Sequence, residues 1–230
     1  MKKEVKALIK NGPFCKVLDK IEEKKCHRAY LKRINTITKQ GAYIVHEIEE
    51  SLNDSGLTFF ATCGTLLGLI REGRLLKNDY DMDYGILIEK PDDWKTLSVA
   101  LSKIGYRKIR EFSLNQRVTE ETYKGKNGVE IDFFGHFIEN GALCFYSYDK
   151  LPGVEYPSDD SWTAFRLVNG TYQGTKKIET DIGTVTVPLN AEEYLTYNYN
   201  DNWKTPNPDF KANTGKGCTM ISGQFGKIKC

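Results

Sequence analysis

Thr58-Phe59-Phe60-Ala61-Thr62-Cys63-Gly64-Thr65-Leu66-Leu67-Gly68-Leu69-Ile70-Arg71, with Asp79-Tyr80-Asp81-Met82-Asp83-Tyr84-Gly85 after it, is the stretch from which the fold is read. Leu57 to Ala61 predicts a short buried strand, Cys63-Gly64-Thr65 a turn, and Leu66 to Arg71 a brief apolar helix. Free backbone N–H groups point outward at a helix N-terminus, so a strand, a glycine turn and a helix start form a natural phosphate seat. The acidic run then opens a strand reaching Ile88. Side chains two apart on a strand share a face, so Asp81 and Asp83 point towards the same ligand.

Oxygen ligands in that arrangement suit Mg²⁺ completed by substrate phosphates, with Mn²⁺ as an alternative. Met82, Ile86 and Ile88 do not fall on one simple face, which implies burial on both sides. Unpaired aspartates at the start of such a strand are costly, and a bound cation relieves the cost. In Val129-Glu130-Ile131-Asp132-Phe133-Phe134 the apolar residues alternate, which puts Glu130 and Asp132 on the other face. Pairing this strand with the first acidic one would bring a third carboxylate, Asp132, to the cluster.

Working outward, a basic helical lead-in broken at Asn11-Gly12-Pro13 precedes a long amphipathic helix from about Arg28 to Leu52, mildly interrupted at Gly41. Residues 92–103 read as helix. Strands are expected at Tyr106–Phe112, Arg117–Tyr123, Val129–Phe137 and Leu143–Tyr148, with glycine-marked turns, and shorter ones between 160 and 188. A helix capped by Asn190 covers Ala191–Tyr199. The Gly-, Lys- and Asn-rich tail from Asn207 reads as a loop packed on the body. The whole is an α/β (α+β) chain with a mixed sheet flanked by helices. It divides into a basic helical extension, residues 1–39, and a domain over 40–230.

The 230 residues are 40% hydrophobic and 28% charged, with thirteen Tyr and eleven Phe, which excludes a disordered chain. Net charge is +2, so no stable nucleic-acid complex is expected. Residues 1–39 nevertheless carry twelve Lys/Arg against four Asp/Glu, enough for peripheral contact with a membrane surface or an anionic polymer. The start has no apolar leader segment, and the six cysteines have no metal-finger spacing; a cytoplasmic protein with reduced thiols is the expectation. Asp79, Asp81 and Asp83 imitate an EF-hand start, but Tyr84 and Lys90 stand where that loop needs Gly and Glu. His27, His46 and His136 have no partners at metal spacing. His136 shares a face with Asp132, and Cys63 reads as structural.

The ordered motifs resemble the DNA polymerase beta-like nucleotidyltransferase superfamily and, within it, the LicD family of phosphocholine transferases and fukutin-related proteins. Gly64-Thr65-Leu66-Leu67-Gly68, Arg71, Gly73 and Asp79 to Gly85 carry that resemblance, as does Asp201-Asn202-Trp203-Lys204-Thr205-Pro206 near the end. Cys63 departs from the family's usual first glycine, and Asn78 from its usual tryptophan. The resemblance implies a nucleotidyltransferase fold and a metal site of Asp81, Asp83 and Asp132, Asp132 doubling as general base. Gly64 and Thr65 would seat donor phosphate, and Arg71 would neutralise developing charge. The implied reaction moves a phospho-alcohol, phosphocholine or a relative, from a CDP-linked donor to a glycan or cell-surface polysaccharide precursor, releasing CMP. The alternative is a nucleotidyltransferase of the same fold that acts on a small molecule, RNA or protein and releases pyrophosphate.

Overall fold

The computed structural model describes residues 15–230, so the Asn11-Gly12-Pro13 break lies outside the described residues. Helix α1 (Cys15–Asn53) runs unbroken through the basic segment and through Gly41. Gly41 is there for close approach: a Cβ at this position would stand 2.8 Å from Leu75 Cδ1. Residues 24–29 of the helix are exposed, while Ile37, Ile44, Val45, Ile48 and Leu52 form the buried stripe of its second half. Glu49 is buried on the same helix, and its carboxylate accepts from the backbone N–H of Thr186 at 3.0 Å and the Thr186 hydroxyl at 2.6 Å.

After α1 come β1 (Phe59–Ala61), α2 (Cys63–Glu72), β2 (Asp81–Leu87) and α3 (Asp93–Lys103). Strands β3 (Arg107–Leu114), β4 (Arg117–Lys124), β5 (Glu130–Glu139), β6 (Ala142–Asp149) and β7 (Ser161–Val168) follow. The small ladder β8 (Thr175–Thr180) and β9 (Gly183–Pro188) then leads to α4 (Ala191–Tyr199) and β10 (Cys218–Lys229). The mixed sheet has the order β1-β2-β5-β4-β3-β10-β7-β6, with β2 and β5 parallel and the other neighbours antiparallel. β6 also pairs with the far end of β5, so six antiparallel strands close into a ring, and β2 and β1 extend from it.

Two expectations are corrected. The tail is not a loop throughout: β10 lies inside the sheet, between β3 and β7. It escapes sequence reading because an irregularity between Met220 and Phe225 breaks the side-chain alternation and most of its residues are exposed. Backbone pairing on both sides holds it, and that leaves no compositional mark. Asn190 precedes α4 as expected but makes no side-chain cap; its amide donates to Glu193 and to the Thr171 carbonyl.

Candidate active site

The site forms where β1, β2 and β5 lie side by side. The parallel register sets Asp81 opposite Glu130 and Asp83 opposite Asp132. β1 pairs on the other edge of β2, so the turn into α2 arrives beside the same aspartates. The backbone N–H of Gly64 donates to Asp83 Oδ2 at 3.0 Å, and the backbone N–H of Asp83 donates to the Thr65 hydroxyl at 2.8 Å. A Cβ on Gly64 would sit 3.2 Å from Asp79 Oδ2 and 3.3 Å from Asp83 Oδ2, so a side chain there would crowd both acids. Cys63, just before it, is held at φ 44°, a left-handed conformation that costs about 1–3 kcal/mol for a residue other than glycine. Desolvation pushes the pKa of its thiol well up.

The acids repel one another. Burial raises Asp83 well above the carboxylate range, and the charges of Asp81, Asp79 and Asp132 add to the effect. Asp81 is pushed up to about 8 by burial and then by Asp79 and Asp132. Asp79, which sequence reading left out of the site, is raised by burial to about 6. Its Oδ2 is buried without a partner.

On the β5 side, Asp132 Oδ1 accepts from Arg110 at 3.0 Å and from the Thr122 hydroxyl. Arg110 also lies 3.6 Å from Glu120, a buried carboxyl pushed up to about 8 by burial and by Asp132. Burial raises Asp132 as well, against the lowering influence of Arg110 and Thr122. Arg110, Glu120 and Thr122 left no mark in the sequence. They reach Asp132 only because β3, β4 and β5 pair in this register.

The remaining candidates divide. Arg71 sits further along α2, where its guanidinium donates to Glu72 at 3.0 Å and to the Trp203 carbonyl at 3.4 Å, while Nε is buried without a partner. His136 is in the core: Nε2 lies 2.7 Å from the Tyr194 hydroxyl and Nδ1 3.0 Å from the Phe134 carbonyl, and burial drives it down to about 3. α1 touches the site through Tyr80, which packs against Tyr30 with tilted rings 5.2 Å apart between centroids and lies under Arg33.

Among the described residues no three His, Cys, Asp or Glu side chains are gathered as a preformed metal cage. The donor set itself still fits a hard divalent cation. Asp79, Asp81 and Asp83 are oxygen ligands forced together, one oxygen is unpartnered, and Mg²⁺ needs only one or two carboxylates when phosphates complete its shell.

A strand, glycine turn and helix thus feed an Asp-x-Asp strand, with a further Asp on the parallel neighbour. Residues 56–165 match the family described as LicD/FKTN/FKRP, nucleotidyltransferase domain. The chain is 26% identical over 175 residues to the ribitol-5-phosphate transferase FKTN of Mus musculus, 73% of this chain and 34% of that protein. The Homo sapiens FKTN is 26% identical over 163 residues, and the chain thus spans about a third of the length of these relatives. A shorter match, 33% over 113 residues, covers 46% of this chain and 16% of endo-1,4-beta-xylanase A of Thermoclostridium stercorarium. Among solved structures, ANT(2")-Ia in complex with adenylyl-2"-tobramycin aligns with a TM-score of 0.41 at 13% identity, over 69% of this chain and 73% of the other. No helix among the described residues is long and apolar enough to cross a membrane.

Proposed function

We propose that this domain transfers a phospho-alcohol from a CDP-linked donor to a hydroxyl of a glycan, with release of CMP. The carrying observation is the pairing of Asp83 with Asp132 on adjacent parallel strands, beside the Gly64 turn. The family match and the ribitol-5-phosphate transferase relatives favour this transfer, with ribitol phosphate and phosphocholine as the leading cargoes. Asp81 and Asp83, with Asp79, would hold Mg²⁺, which when bound neutralises charge on the donor phosphates.

The chain's own groups do the rest. The Gly64 N–H holds the Asp83 carboxylate and the Thr65 hydroxyl holds the Asp83 backbone N–H, so the side chain does not swing out under repulsion from Asp81. Asp132 accepts the proton of the acceptor hydroxyl at Oδ2, because Oδ1 is already occupied by Arg110 and Thr122. Its raised pKa moves it in the direction that suits a base working near neutrality. Arg110 keeps Asp132 oriented and offsets the neighbouring Glu120.

The test is phosphorus NMR of the purified protein with Mg²⁺, CDP-ribitol, CDP-choline and CTP, and a mixed cell-envelope glycan acceptor. CMP without pyrophosphate supports the proposal. Pyrophosphate from CTP would replace it with nucleotidyl transfer.

A further inference from the structure

We propose that the outer face of α1, from Lys24 to Lys39, is a docking surface for an anionic lipid bilayer, held there by charge and without insertion. This is independent of the transfer reading given above. Between Lys24 and Gln40 the sequence has six Lys/Arg and no Asp/Glu. Arg33 turns inward, to Glu130 at 2.6 Å and over the Tyr80 ring. The other five, Lys24, Lys25, Arg28, Lys32 and Lys39, are exposed. With 3.6 residues per turn they fall within about 100° of arc, in a row about 22 Å long. The buried stripe of Ile37, Ile44, Ile48 and Leu52 is centred on the opposite side of the helix, so the row faces away from the body.

A second element adds to this surface. The turn between β4 and β5 runs beside α1, and a small cleft of about 260 Å³ between them is lined by Lys32, Arg33 and Lys124 against a single acid, Glu130. Glu130 is already taken by Arg33 and by Lys124 at 2.9 Å, which leaves Lys32 to the solvent side. Lys126, on the same turn, is exposed as well. Further along α1 the sign changes, with Glu47, Glu49 and Glu50. Residues 40–230 as a whole carry twenty-one Lys/Arg against twenty-seven Asp/Glu. A chain so polarised turns its basic helix towards a negative surface and its acidic body away.

The shape of the patch favours a bilayer over a soluble polyanion. The five cations stand on the convex edge of a straight helix, not in a groove, so one plane meets all of them at once. Leu31, 49% exposed, borders the row, and Tyr43, 60% exposed, stands at its end. Such side chains suit the interfacial zone of a bilayer and add nothing to the grip on a hydrated polymer. The apolar stripe of α1 is spent on the protein core, so contact with lipid is peripheral and electrostatic.

The test is co-sedimentation of the full chain with vesicles at about 0.1 M salt, either phosphatidylcholine alone or phosphatidylcholine with about a third phosphatidylglycerol. Binding is expected only to the second, and is expected to vanish at about 0.5 M salt. The triple variant Lys24→Gln, Arg28→Gln, Lys32→Gln should lose about a hundredfold in vesicle affinity with an unchanged Tm, because all three residues are exposed. A matched variant, Lys176→Gln, Lys211→Gln, Lys229→Gln, removes the same charge from exposed positions elsewhere and should bind as the wild type does. Failure of the wild type to bind the anionic vesicles, equal binding to phosphatidylcholine alone, or an equal loss in both variants would overturn the proposal. So would tighter binding to free polyphosphate than to vesicles at equal phosphate concentration, which would make this face a site for a soluble polyanion.

Discussion

The backbone N–H of Gly64 donates to Oδ2 of Asp83 at 3.0 Å, so the turn that starts α2 is fastened to the strand carrying the acids. That single bond joins the Cys63-Gly64 turn to the acidic strand. It also holds a carboxylate where three other acids repel it. The site is therefore strained electrostatically before any ligand arrives, a condition proteins tolerate where function requires it.

Asp83→Asn is expected to separate stability from activity. An asparagine oxygen still accepts from Gly64, but the buried charge is gone. Thermal unfolding without divalent cations should move upward by a few degrees, while turnover falls by about a hundredfold or more. A variant that is active, or one that is less stable than wild type in chelator, would contradict the electrostatic reading of this site.

The same strain predicts a pH dependence. Asp81 and Glu120 lie near 8 in the folded chain, against about 4 when unfolded. Between those values the native state holds protons that the unfolded state has released, so stability falls as pH rises. His136 acts with the opposite sign, since its folded value near 3 removes stability as pH drops below about 6.5. In chelator, Tm should therefore decline from about pH 6.5 to 8. Millimolar Mg²⁺ should raise Tm more at pH 8 than at pH 6.5, because protons compete with the cation. Calorimetric scans across that window give the answer; a flat profile in both media would remove the carboxylate cluster from the account.

Burial raises Asp132, and Arg110, at 3.0 Å, opposes that rise. Arg110→Gln removes the cation shared by Asp132 and Glu120, and two adjacent carboxyls then raise one another. The acidic limb of kcat/KM should shift to higher pH by roughly one unit, with turnover retained at alkaline pH. Asp132→Asn should abolish the limb together with the activity. An unmoved limb in Arg110→Gln would assign the base elsewhere.

Much of this was legible in the sequence, and the part that was not has a common cause. Gly64, Thr65, Asp81 and Asp83 lie within one local strand–turn–helix–strand unit, where spacing alone determines who faces whom. Asp132 was legible from its own alternation, since Val129, Ile131 and Phe133 are all fully buried. Arg110, Glu120 and Thr122 depend on the register of three strands, which periodicity within one strand does not encode. Asp79 precedes the regular strand, so no alternation rule reached it. The ring of strands was hidden for the same reason as β10, whose alternation is broken between Met220 and Phe225.

β10 supplies the next prediction. It bridges β3 and β7, and without it the ring would carry two unpaired edges. A chain ending at Gly217 should lose cooperative unfolding and aggregate, although the removed residues are mostly exposed and contain no candidate site residue. Adding the 218–230 peptide in trans should restore a sigmoidal melt. Unchanged folding of the shortened chain would show that the ring is not required.

A buried relay ties α4 to the site from below. The Phe134 carbonyl accepts only, so Nδ1 of neutral His136 carries the proton, and Nε2 accepts from the Tyr194 hydroxyl at 2.7 Å. The Tyr194 oxygen in turn accepts from the Thr62 hydroxyl at 2.6 Å, one residue before the Cys63-Gly64 turn. Tyr194→Phe leaves Nε2 and the Thr62 hydroxyl unpaired in the core, at a cost of about 1–3 kcal/mol. Urea denaturation should show that loss with an unchanged m-value. Because the members form one network, Thr62→Val made in the Tyr194→Phe background should cost less than Thr62→Val alone. Additive losses in that double-mutant cycle would dissolve the relay into independent contacts.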